Sequence, residues 1–212
     1  MTNKEFITRA KKALSVKTLY VMGCFGAPLN VKNKTRYTKN HTYNKNADRT
    51  KMINEATDDT FGFDCVCLLK GIRWGWNGDK TKVYGGANYC SDGVPDFTIS
   101  AVMKNKTAST DFNQIKIGEA VCLKNYEHIG IYIGDGLVIE STPSWKNGVQ
   151  VTKINKDIKG DYPVRKWDIH AEIPYIEYIE EPEDLTVTLE FATTKDKEDA
   201  EKAFTLLGFK IR

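Results

Sequence analysis

The sequence predicts an α+β fold with N-terminal helices packed on an antiparallel β-sheet and a small C-terminal β-α-β appendage. Three observations lead to that class. A capping-box signature, Thr2-Asn3-Lys4-Glu5, opens the chain ahead of apolar residues at helical spacing. From Glu119 onward the apolar residues fall into short β-rich runs. Those runs are separated by turn signals, Gly134-Asp135-Gly136 and Asn147-Gly148. Helix first and meander second is an α+β layout.

Taken in order, the first helix places Phe6, Ala10 and Leu14 on one face. Thr18 to Met22 reads as a short extended piece, ended by the turn-rich Gly23-Cys24-Phe25-Gly26-Ala27-Pro28. Residues 31–51 hold seven Lys/Arg against one acid, Asp48. With much Asn and Thr and few apolar anchors, this stretch reads either as a solvated loop or as a surface for an anionic polymer. Cys65 to Leu69 reads as a short buried helix closed by Gly71, and an aromatic, glycine-rich loop follows through Tyr89. Strands are expected over Ala120 to Leu123, His128 to Ile133, Leu137 to Ser141 and Val149 to Ile154.

The chain of 212 residues suits one substantial domain with an appendage, and its 41% hydrophobic and 28% charged content is that of a globular protein. A catalytic domain is expected over 1–172, a linker over 173–184 and the appendage over 185–212. Within the last segment, Leu185 to Phe191 alternates like a strand, Thr194 caps a helix ended by Gly208, and Phe209 to Ile211 is a second strand. About thirty residues bury too little to stand alone, so docking, wall binding or homo-oligomer formation is expected of it. Residues 173–212 carry ten Asp/Glu against five Lys/Arg, a net −5 that leaves +8 on the remainder. No apolar run reaches the length of a bilayer span, and membrane insertion is not expected. Met1 to Ile7 lacks the apolar stretch of a secretory signal, so the five cysteines are expected to be reduced thiols made in a cytoplasm. One Cys-x-Cys without a second pair is too sparse for zinc, so no metal or other cofactor is expected. The basic run lacks a nucleic-acid-binding motif, so nucleic acid is not an expected partner.

Two half-sites carry the chemistry. If Asp64 caps the helix, Cys65 lies in its first turn, where free N–H groups and the positive dipole end favour a thiolate. The same N–H groups suit an oxyanion. Asp64 beside the thiol works against ionisation, which makes it a cap or orienter. In the second half-site, a strand beginning at His128 puts 128, 130 and 132 on one face and Ile129, Ile131 and Ile133 on the other. Gly130 clears space beside the imidazole, and Tyr132 can line a cleft. A strict two-residue turn at Asp135-Gly136 pairs Ile131 with Glu140 and buries the carboxylate among isoleucines. A three-residue loop with a bulge at Gly136 pairs Gly130 with Glu140, on the face of His128. The second register is preferred, with Glu140 orienting the imidazole.

These segments together resemble the NlpC/P60 family of cysteine peptidases. The resemblance lies in Tyr20-Val21-Met22-Gly23-Cys24, Asp64-Cys65-Val66-Cys67-Leu68, Gly118-Glu119-Ala120-Val121 and the run His128 to Gly136. It implies a papain-like core and cleavage of an amide in the stem peptides of bacterial peptidoglycan. Cys65 would be the nucleophile, His128 the base and later acid, Tyr20 a cleft residue near the thiol, and Glu140 the third polar residue. Val66, Cys67 and Glu140 depart from the usual family residues. The resemblance implies cleavage at either the D-glutamyl to diamino-acid bond or the muramoyl to L-alanine bond. A non-catalytic wall-binding module that keeps the fold is the alternative class. The run Glu140 to Trp145 with Asn147-Gly148-Val149 resembles phage endolysins of Gram-positive hosts, which implies release to the wall through a phage-encoded membrane hole. Trp74, Trp76 and Trp145 either stack on wall sugars or line the groove, or else anchor loops in the core.

Overall fold

The computed structural model describes residues 1–179 and 193–206, the side chains of 203–206 excepted. The chain forms two compact units, Met1–Ile179 and Glu180–Arg212. The first is a mixed α+β body with helices ahead of an antiparallel sheet.

Helix α1 (Asn3–Leu14) starts at the expected capping box. Thr2 Oγ1 accepts from the Glu5 N–H at 3.2 Å and the Glu5 carboxylate accepts from the Thr2 N–H at 2.9 Å. Phe6, Ala10 and Ala13 are buried in the main core. Strands β1 (Thr18–Tyr20) and β2 (Phe25–Pro28) lead into the basic segment. That segment is helical, not a loop: it forms α2 (Val31–Asn40), a short 3₁₀ turn and α3 (Ala47–Glu55). Asn30 and Asn46 cap the two helices, and Tyr37 and Ile53 anchor them in a second apolar cluster with Val21 and Leu29. Part of the basic charge is structural. Lys34 donates to the carbonyls of Asn54 and Ala56 at the end of α3, and buried Arg49 donates to the Tyr20 carbonyl and to Asn147. Strand β3 (Phe61–Phe63) completes a three-stranded sheet, parallel to β1 and antiparallel to β2.

Helix α4 (Cys65–Arg73) follows β3 directly and buries Leu68, Leu69 and Ile72. Gly71 lies inside this helix and does not end it. A Cβ at Gly71 would stand 2.4 Å from the Phe25 carbonyl oxygen, so glycine is what lets β2 approach. After the short helix α5 (Ile99–Met103) come β4 (Ala120–Cys122), β5 (Ile129–Gly134), β6 (Leu137–Thr142), β7 (Gly148–Lys153) and β8 (Ile169–Ala171). They form an antiparallel sheet in the order β7-β6-β5-β4-β8. β8 was not expected. It is pinned by a buried pair in which His170 Nδ1 meets Glu119, while His170 Nε2 lies 3.0 Å from the Asp111 carbonyl. Burial pushes the Glu119 carboxyl up, against the pull of His170. The two sheets meet where Thr18 Oγ1 accepts from the Val149 N–H and Ser141 donates to the Phe63 carbonyl, both at 2.9 Å.

The expected linker begins too early. Residues 173–179 belong to the first unit, since the Asn3 N–H donates to the Glu177 carbonyl and the Ile179 N–H to Asn3. In the second unit, α6 (Thr194–Leu206) is capped by Thr193 rather than Thr194: Thr193 Oγ1 accepts from the Asp196 N–H at 3.2 Å. The strands expected over 185–191 and 209–211 lie outside the described residues.

Gly71→Ala is expected to destabilise the first unit by about 2 kcal/mol, since overpacking against backbone outweighs the gain in helix propensity. At this chain length that is roughly 4–8 °C in Tm, readable by calorimetry. An unchanged Tm would remove the close-approach argument.

Candidate active site

The passage from β3 into α4 fixes the first half-site. Asp64 is the N-cap, its backbone extended, and its two oxygens do different work. Oδ1 accepts from the Cys67 N–H at 2.6 Å, closing the first turn of α4. Oδ2 accepts from the Gly23 N–H at 2.7 Å, tying the helix start to the β1–β2 connection. Asp64 is buried and committed to these bonds, so it acts as the helix cap.

Cys65 is the first residue of α4 and its side chain is buried. The backbone N–H groups of Val66 and Ile129 and the Tyr20 hydroxyl face its sulfur. Ile129 directly follows His128, so the thiol sits beside the start of the histidine strand. Burial, with the Asp64 charge, pushes the Cys65 thiol up to about 12, against the pull of those N–H groups and the hydroxyl. The expected resting thiolate is therefore a neutral thiol: desolvation outweighs the helix dipole at this position. Tyr20, also buried, lies against the thiol as expected, and burial pushes its hydroxyl well up.

The second half-site centres on Glu140, which is 0% exposed. Its Oε2 lies 2.5 Å from His128 Nε2. Its Oε1 accepts from Thr152 Oγ1 at 2.7 Å and from Arg165 Nε at 2.9 Å. Burial alone would push this carboxyl up, but the bonds and charges of His128 and then Arg165 outweigh it and hold it below its ordinary value. An ionised carboxylate can only accept, so Nε2 of His128 carries the proton. Nδ1 is the ring nitrogen that Glu140 does not engage.

The register that brings these groups together differs in detail from expectation. Ile131 pairs with Ile139 and Tyr132 with Val138, which sets Gly130 opposite Glu140. The turn, however, is the two-residue Asp135-Gly136, with both residues at positive φ. The extra residue is Ile133, where the ladder shifts between Tyr132 and Gly134. Two residues unnoticed in the sequence complete the site. Trp167 stacks on the His128 ring, centroids 5.6 Å apart and planes at 13°. Gly130 lets Val138 and that indole pack closely, since a Cβ there would stand 2.6 Å from the Val138 side chain and 3.2 Å from Trp167. Arg165 lies 4.8 Å above the Trp145 ring and 5.6 Å from that of Trp167. Neither was legible, because both reach the site from a loop about 25 residues beyond Glu140 in the chain.

The other aromatic candidates separate by burial. Trp74 and Trp76 are each 1% exposed, and their indole N–H groups donate to the carbonyls of Val94 and Gly26. They anchor loops and have no free face to stack on a sugar, and Trp74 also lines a groove beside α4. Tyr132 leans toward the turn, its hydroxyl accepting from the Gly136 N–H at 3.3 Å. Trp145 is 51% exposed and keeps an open face. A groove of about 520 Å³ runs beside α4, with Asp64, Val66 and Cys67 in one wall.

No protein-family model matches the sequence, and no curated protein does either. Among solved structures, the chain is similar to the peptidoglycan hydrolase RipB of Mycobacterium tuberculosis, at 17% identity and a TM-score of 0.45. That match covers 83% of this chain and 65% of that one, so the chain spans just under two thirds of RipB's length. It is also similar to the P60 domain of antigen MAP1204 from M. avium subspecies paratuberculosis, at 18% identity and a TM-score of 0.45, covering 83% of this chain and 96% of that one. A second P60 domain, from antigen MAP1272c of M. avium paratuberculosis, matches at 13% identity and a TM-score of 0.42, covering 81% and 92%.

Burial raises the Cys65 thiol, to about 12, so little of it is thiolate at neutral pH. Iodoacetamide labelling of Cys65, followed by peptide mapping against the exposed Cys90, is expected to keep rising from pH 6 to 10. A plateau below pH 7 would mean a preformed thiolate–imidazolium pair instead.

Proposed function

We propose that the protein is a cysteine-dependent hydrolase of an amide in the peptidoglycan stem peptide. The observation that carries this reading is the buried Glu140–His128 pair beside a cysteine at the start of α4. Glu140 fixes the imidazole with its proton on Nε2, leaving Nδ1 to take the Cys65 proton as the sulfur attacks the amide carbon. Because the resting thiol is neutral, proton transfer accompanies attack instead of preceding it. The first-turn N–H groups of α4 and its positive end favour the oxyanion of the tetrahedral intermediate. His128 then gives the proton to the leaving amine, and the acyl-thioenzyme forms. Water, deprotonated by the same nitrogen, releases the acyl group and restores the thiol.

Glu140 keeps the imidazolium stable without taking the proton, and Arg165 with Thr152 keeps Glu140 ionised. The preferred scissile bond is that between the D-glutamyl residue and the diamino acid, and the muramoyl to L-alanine bond is the other choice. The buried, neutral Cys65 favours one further reading, a wall-binding module without turnover.

Clearing of a purified wall suspension separates these. Cys65→Ala is expected to abolish clearing, and Glu140→Gln to slow it about 10²–10⁴-fold. Mass spectrometry of the fragments names the bond by the new amino terminus, a diamino acid or L-alanine. Equal clearing by wild type and Cys65→Ala would sink the hydrolase. Binding without clearing by either would support the module.

A further inference from the structure

The groove beside α4 has a charge that the catalytic reading does not use. Asp64, in its wall, is spent on the helix cap. Lys70 is buried and paired with Asp96 at 2.6 Å, and the other Asp96 oxygen accepts from Tyr89 at 3.1 Å. Those two charges satisfy each other. Arg36, contributed by α2, is different. Its guanidinium lies 5.2 Å from the Tyr84 ring centre and 5.8 Å from that of Tyr37, and one of its nitrogens donates to the Tyr84 hydroxyl. No carboxylate among the described residues pairs with it. The stacking holds the planar group in place while most of its donors stay free.

A preoriented arginine with free donors, in a concave site, is suited to bidentate capture of a carboxylate. We propose that Arg36 forms a carboxylate-recognising subsite of this groove, which is lined by Asp64 and Val66, the chain neighbours of Cys65, and that it reads a free carboxylate on the substrate. This deepens the proposed hydrolase and rests on it for the identity of the substrate. It gives α2 a role in selecting between substrates whose carboxylate is free and those in which it is amidated. His41, whose ring stacks on Tyr37 at 6.4 Å, lines the same groove.

The test separates recognition from turnover by using full-length Cys65→Ala protein. Two peptides serve as probes: L-Ala-γ-D-Glu-L-Lys with its glutamyl α-carboxylate free, and the same peptide with that group as a carboxamide. Calorimetric titration is expected to show the carboxylate peptide binding at least tenfold tighter. In Cys65→Ala/Arg36→Gln the preference should vanish, and Arg36→Lys should restore part of it. Arg36 is exposed, so the substitution leaves the fold intact, which an unchanged Tm will verify. Equal binding of both peptides, a preference that survives Arg36→Gln, or no binding of either peptide would each overturn the subsite. Wall clearing by wild-type protein with any of these results would leave the hydrolase standing without it.

Discussion

A carboxylate with no access to water sits at the centre of this protein, and its three donors decide how the surrounding elements must meet. Glu140 is reached by His128 from the start of β5, by Thr152 from β7 and by Arg165 from the loop before β8. An unpaired charge in that position would cost several kcal/mol, so each donor is a condition on the fold as much as a part of the site. The sheet register, the course of the loop through Arg165 and the stacking of Trp167 on His128 all satisfy that condition. Removing one donor leaves the other two facing a charge they cannot fully compensate.

The nucleophile side is held by a second carboxylate used in the opposite way. Asp64 faces backbone N–H groups on both sides and so joins two pieces of main chain, the start of α4 and the β1–β2 connection. The cost of that arrangement is electrostatic: the same charge that fixes Cys65 in place raises its thiol. A buried thiol held at a helix start and an imidazole held by a buried carboxylate suit a reaction in which geometry is set in advance.

How much of this could be read from the chain depends on range. The capping box of α1 is local, with donor and acceptor three residues apart, and it stood in the sequence as it stands in the fold. The Asp64-Cys65 helix start and the three six-residue strands β5, β6 and β7 are equally local. α2 and α3 were obscured by their composition, because their anchors are only Tyr37 and Ile53 amid lysine and asparagine. Trp74 and Trp76 could not be placed, since an indole anchors a loop or faces solvent according to carbonyls supplied by distant segments. Arg165 and Trp167 carry no motif at all; only tertiary folding gives them meaning.

The bulge at Ile133 bears on how hairpins of this kind should be matched to one another. With Ile133 bulged out, Gly130 faces Glu140 and Gly134 faces Leu137 across a two-residue turn. A chain lacking that one residue would preserve every other pairing, because the bulge is the surplus that an unbulged ladder does without. A chain with one more residue and no second bulge would turn its carboxylate into the isoleucine face. Deletion at this point therefore keeps the register and insertion does not. The interval between the imidazole and the carboxylate, twelve residues here, is not a fixed signature: a hairpin one residue shorter joins the same two groups, with its alignment gap at 133.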